Sequence, residues 1–303
     1  MEYLALTDTS TLEGVPEFLE ICRENAVKPL IGCEFSVMHY YHDNYSTEEM
    51  NPEGADQVVL FARNTVGFRS LIKLQNRADL RMNSESHPYV FLDEIESIKN
   101  GLYIMVLTHT GTIGTFLNQG KYHEVKYRIE KYLSIFPKYH AISHCDLLNP
   151  IDLVRLNYTL QLSDELEVPL SVVNCVQAID EYDANEIDKY INSSRRSEKI
   201  VYLPQLKGWP ERFFKNEKEM KKLFGGFPWL LSETNHIAET IYFDVSKYRL
   251  HRYKDPDYEK IHVPLLPETY NKRNIEFFSN GRNTMKKGSS EHQCFTENLP
   301  IYR

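Results

Sequence analysis

Six consecutive residues, Leu102-Tyr103-Ile104-Met105-Val106-Leu107, set the tightest limit on what this chain can fold into. An almost unbroken apolar run of that length reads as a strand buried on both faces, so the sheet that holds it needs a covering layer on each side. Further strands are read over residues 4–6, 30–37, 57–62, 139–143 and 169–173. Between them run helical patterns. Val15, Phe18, Leu19, Cys22 and Ala26 recur at helical spacing, with Pro16 tolerated in the first turn. Val66, Leu71, Leu74 and Ala78 do the same, followed by stretches near 114–117 and 121–133 and by Leu153, Leu156, Leu160 and Leu166. Strands alternating with helices predict parallel βαβ units, at least five of them before residue 175. A closed or nearly closed β/α barrel follows, because it covers both faces of every strand; a doubly wound open sheet is the alternative.

From residue 181 the pattern is mostly helical, apart from a loop around 204–210. Residues 246–303 are charged and Tyr-rich and then polar, with no apolar period over 280–297, which predicts a linker or a partly disordered tail. The stretch 39–56 is polar and turn-rich and reads as a surface loop, with His39, His42 and Asp43 solvated. Lys215 to Lys222 alternates charge and reads as a solvated helix face.

With 35 basic and 43 acidic residues, the net charge is −8. That balance argues against a free-standing nucleic-acid binder but not against one module of a larger DNA-handling protein. The five cysteines form no C-x-x-C pair and read as reduced thiols, mostly packed as small hydrophobes. No apolar run reaches the ~18 residues that span a bilayer, and the amino terminus lacks a signal-peptide pattern. A cytoplasmic protein is expected. No P-loop, G-x-G-x-x-G or G-x-S-x-G motif occurs.

In β/α barrels the functional side chains sit at the carboxyl ends of the strands. Those ends carry Asp8-Thr9, Glu34, Thr108-His109, His144-Cys145 and Asn174-Cys175, with Gln177 just beyond. Carboxylates, imidazoles and thiols around one mouth make a metal site conceivable, since imidazole and thiolate suit zinc and carboxylates suit harder ions. The plain alternatives are that Asp8 caps a helix, that Cys33 is core, and that His109 and His144 play ordinary polar roles.

The run Ala5-Leu6-Thr7-Asp8-Thr9 to Gly14, then Glu17-Phe18, then Lys28-Pro29-Leu30-Ile31-Gly32-Cys33-Glu34, resembles the amino-terminal PHP (polymerase and histidinol phosphatase) domain of the bacterial DNA polymerase III alpha subunit. There the stretch reads I-T-D-H-G-x-L-x-G, E-F and I-K-P-I-x-G-x-E. The similarity continues through Phe61 to Leu71, Asn100 to Ile104, Pro169 to Gln177, Phe214 to Phe224 and Glu233 to Glu239, in the right order, over roughly residues 1–243.

The resemblance implies a distorted, TIM-like β/α barrel over residues 1–245, here lacking its first strand, with a helical carboxyl-terminal extension. Residues 246–303 would then be a linker or the start of a truncated polymerase region. Active members hold up to three metal ions. Here Thr9 stands in place of a ligand His, and Cys175 and Gln177 stand in place of the late Asp and His. Glu34, Asp8, His109 and His144 are what remains, a vestigial set. No efficient phosphoesterase activity is implied, and no cofactor, with zinc or manganese as the alternative.

The implied role is a non-catalytic structural module in DNA replication or repair synthesis. It would brace the polymerase palm and thumb and have the remainder of the alpha subunit or other replication proteins as partners, meeting DNA only indirectly. Two alternatives stand beside it: a metal-dependent phosphoesterase or exonuclease with a reduced metal site, and a replication-partner interaction fragment.

Overall fold

Each apolar run folds as a strand, and helical periods fold around them. In order, the computed structural model has β1 (Tyr3–Leu6), α1 (Val15–Glu24), β2 (Lys28–Met38), β3 (Asp56–Ala62), α2 (Thr65–Arg81), β4 (Val90–Phe91) and α3 (Leu92–Ser97). These are followed by β5 (Leu102–Leu107), α4 (Gly111–Asn118), α5 (Tyr122–Ile135), β6 (His140–Cys145), α6 (Pro150–Leu166), β7 (Leu170–Val173), α7 (Glu181–Ser194), α8 (Glu217–Leu223) and α9 (Pro228–Ile241). The structure describes residues 2–39, 54–81, 88–145, 150–194 and 211–243, which lie in one unit, Met1–Val245. The loop around 204–210, His42, Asp43 and the stretch 246–303 lie outside the described residues.

The fold is mixed α/β. Its strands run in the order β1-β2-β3-β5-β6-β7, with β4 beside the far end of β2. β1 with β2, β2 with β4, β5 with β6 and β6 with β7 are parallel pairs. β3 departs from the expected all-parallel arrangement, running antiparallel to both β2 and β5. Parallel neighbours need a crossover connection, usually a helix, and the sequence over 39–55 carries no helical period that would predict one.

Pleating gives this sheet two faces. Outward, Ile31, Cys33, Phe35, Val58, Leu60, Leu102, Ile104 and Ile142 are buried on the side that meets the helices. Phe68, Leu71, Leu74 and Ala78 of α2 are buried as well, and that helix lies on β3. Inward, Leu30, Val59, Phe61, Tyr103, Met105, Leu107 and Ala141 form a second core together with Ile237 and Ile241 of α9. Gly32 faces this interior because the Phe61 ring takes its space: a Cβ there would lie 2.8 Å from that ring.

The two ends of the sheet, β1 and β7, are joined by helix α9. Thr234 accepts the β7 backbone N–H of Val172 at 3.0 Å, so the exposed edge of that strand is satisfied by a side chain. At the other end Tyr242 packs edge-on against Tyr3 of β1, with ring centroids 5.9 Å apart. Arg63 Nε donates to the Thr240 carbonyl at 3.2 Å. The curled sheet is thus a partial barrel with a helix in the gap. No helix among the described residues is long and apolar enough to cross a membrane.

One expectation fails outside the mouth. His39 is not solvated: its side chain is 5% exposed and its Nε2 lies 2.6 Å from the fully buried Asp56 carboxylate. Arg128 donates to the same carboxylate at 3.1 Å, as does the Tyr132 hydroxyl. Burial and the Asp56 charge hold the Tyr132 hydroxyl well above its ordinary pKa. The outward direction of the first residue of β3 puts Asp56 among helices, where only a charged and hydrogen-bonded neighbourhood can keep it.

Candidate functional site

The register fixes which strand-end residues converge. Leu107 pairs with Ser143, Ser143 with Ser171, and Cys145 with Val173. His109, Cys145 and Cys175 therefore follow each other in inward-facing positions on three adjacent parallel strands. Their ligand atoms all lie within 4.8 Å of one another, and His109 Nε2 is 3.0 Å from Cys175 Sγ.

His109 and Cys175 are held from behind. Arg155 donates to the His109 carbonyl at 3.0 Å. Gly114 lets α4 pass directly beneath that carbonyl, since a Cβ there would sit 2.7 Å from the His109 carbonyl carbon. Cys175 has a φ of 44°, in the left-handed region that a side chain disfavours. The turn that imposes it is tied down on both sides: Asn174 Nδ2 donates to the Phe213 carbonyl at 2.7 Å, and Gln177 N to the Arg212 carbonyl at 2.8 Å.

Electrostatics link this trio to Glu34. The Cys175 thiol lies well below its ordinary pKa: the hydrogen bond from Cys145 is the largest cause, and His109 and Arg212 add to it against the opposing effect of burial. Glu34 is pushed up to about 7, chiefly by desolvation and next by the Cys175 charge, while His109 and Arg212 pull it down. The Cys175 thiol, the Glu34 carboxyl, His109 and Arg212 thus act on one another at one mouth where burial opposes charge.

The remaining residues singled out in the sequence lie elsewhere. Asp8 is one residue out of phase with Glu34: Glu34 N donates to the Asp8 carbonyl at 3.0 Å, and Thr9 is the residue that bridges to Glu34. The Asp8 carboxylate sits by Gly14, at the start of α1, on the helix side. His144 alternates with Cys145, so it points away from the trio and is fully buried. Gln177 is placed by its backbone, in the turn that carries Cys175. Of the vestigial set, then, Glu34 and His109 share the mouth, while Asp8 and His144 do not. Cys145 and Cys175 take up the donor positions beside His109. Arg212 could not be read from the sequence, because the segment that carries it reaches the mouth through long-range pairing with the turn after β7, including the bridge between Ala178 and Phe213.

Chemically, the donor set does not fit a cluster of several hard cations, which would need multiple carboxylates and imidazoles. Among the described residues the mouth brings together one imidazole, one carboxylate and two thiols.

Residues 1–142 match the model of the PHP domain. The DNA polymerase III subunit alpha of Vibrio cholerae is 26% identical over 246 residues, covering 79% of this chain and 20% of that protein. The subunit of the same name from Halalkalibacterium halodurans is 25% identical over 260 residues, covering 84% and 21% respectively. The chain thus spans about a fifth of the length of the curated relatives it matches. Among solved structures, a Bifidobacterium adolescentis protein proposed to be a metal-dependent phosphoesterase superposes with a TM-score of 0.34 at 10% identity, over 57% of this chain and 76% of that one. Residues 1–142 thus match the PHP domain, within a region that covers about four-fifths of the chain and is similar to DNA polymerase III alpha subunits.

Proposed function

We propose that this chain serves as the PHP module of a DNA polymerase III alpha-like protein in DNA replication or repair synthesis, acting as a structural brace and not as a phosphoesterase. The observation that carries the reading is the make-up of the mouth. Hydrolysis by a multi-ion centre depends on cations that polarise the phosphate and acidify a bound water. Such cations need hard donors, and Asp8 and His144 face away from Glu34 and His109. Relatives named as polymerase subunits support the replication context; the remainder of such a subunit is the natural partner, with DNA met only through it.

The test is hydrolysis of p-nitrophenyl phosphate and of 3′-labelled single-stranded DNA by the purified chain with magnesium, manganese or zinc. The brace reading expects rates at the no-protein background. A metal-stimulated rate that disappears in Glu34→Gln would refute it and favour the reduced-site phosphoesterase. That second reading draws on Glu34, pushed up to about 7, a value that suits a general acid or base, with His109 beside it, while His144 and Asp8 face elsewhere.

A further inference from the structure

We propose that His109 Nε2, Cys145 Sγ and Cys175 Sγ bind one zinc ion, a site of a different kind from a cluster of hard cations. The three donors come from the ends of consecutive parallel strands, and their atoms lie within 4.8 Å of one another. Tetrahedral zinc, with bonds of about 2.3 Å to sulfur and 2.0–2.1 Å to nitrogen, sets its ligands roughly 3.3–3.8 Å apart. The trio needs only small side-chain rotations to meet that spacing. The 3.0 Å separation of His109 Nε2 from Cys175 Sγ opens by roughly half an ångström on binding.

Donor chemistry selects the ion. Two thiolates and an imidazole favour zinc over magnesium or manganese. The two sulfur charges also offset the doubly positive ion, which matters in a mouth where Cys145 is wholly buried. The backbone supports the same reading. Cys175 is kept in a left-handed conformation by hydrogen bonds from both of its flanks. Strain of this sort persists where the surroundings enforce it, and it gathers at sites that must aim a side chain. Here it turns Sγ toward Cys145 and His109. Three protein ligands leave the fourth position to water. The proposal is independent of the brace reading, because a soft three-donor site can exist whether or not the domain hydrolyses anything.

The experiment measures metal in the full chain, expressed with zinc and purified without chelator. About one zinc per chain is expected, falling below about a tenth in a Cys145→Ser/Cys175→Ser double variant and unchanged in Cys294→Ser. Wild-type protein stripped and reloaded with cobalt gives a second readout that does not depend on the fold of the double variant. A thiolate-to-cobalt charge-transfer band and tetrahedral visible bands are expected, with circular dichroism unchanged by reloading. Metal well below stoichiometry in folded wild-type protein, a cobalt spectrum without the sulfur band, or a Cys145–Cys175 disulfide found by mass spectrometry would each overturn the proposal. Phosphoesterase assays play no part in it, so its failure and that of the brace reading are distinguishable.

Discussion

Glu34→Gln isolates the electrostatic cost of the mouth. The carboxyl titrates near 7 in the folded chain against an ordinary 4.5. Between those values the folded state binds more protons than the unfolded state, so stability must fall as pH rises through this window. Full ionisation amounts to about 3 kcal/mol, of which about 2 kcal/mol is lost between about pH 5 and pH 8. Gln keeps the shape and the hydrogen-bonding capacity but cannot ionise. Urea unfolding of both proteins, with chelator present to remove any ion, gives the two pH profiles. The variant should gain on the wild type by about 2 kcal/mol on going from pH 5 to pH 8, and titrating groups distant from the mouth cancel in the difference. Parallel profiles would mean that Glu34 is solvated or already paired. The desolvated mouth would then be refuted.

The other predictions concern the scaffold. Asp56→Ala strands the Arg128 and His39 side chains and should cost roughly 3–5 kcal/mol in equilibrium unfolding; a loss below ~1 kcal/mol would show the buried network to be dispensable. Ile241→Ala, which empties a fully buried position on α9, should cost about 2–4 kcal/mol and speed hydrogen exchange along β7. Gly114→Val drives side-chain atoms into the His109 carbonyl and should lower the thermal midpoint by several degrees, as expected for a loss of about 1–3 kcal/mol. Burial pushes the Glu94 carboxyl up, but the Arg81 fork at 2.7 and 2.9 Å and the Phe91 N–H outweigh it and leave the pKa below the ordinary value. The contribution of this pair is therefore present above about pH 4.5 and is lost as pH falls through the folded pKa; Glu94→Gln should flatten that acid limb.

Strand positions were legible because their signal is local. The run 102–107 and the two-faced pattern of 30–37 dictate burial whatever surrounds them, and both fold as read. Direction was not legible at β3, since an apolar segment looks the same whichever way it runs. At the mouth, strand ends could be read from the sequence, but the face each residue takes depends on register. A shift of one residue separates Cys145 from His144 and Glu34 from the residue paired with Asp8. His39 illustrates the remaining limit. A polar residue in a polar stretch carries no mark of the buried acid that it meets 17 positions later, so its burial is a property of packing alone.

The seat of α9 between the first and last strands also sets a timetable for synthesis. Tyr3 cannot meet Tyr242, nor Arg63 the carbonyl of Thr240, 177 positions away, until nearly the whole module has left the ribosome. Contacts so distant along the chain make closure slow. Until then the nascent sheet keeps an unsealed border, the period in which chaperones would be needed most.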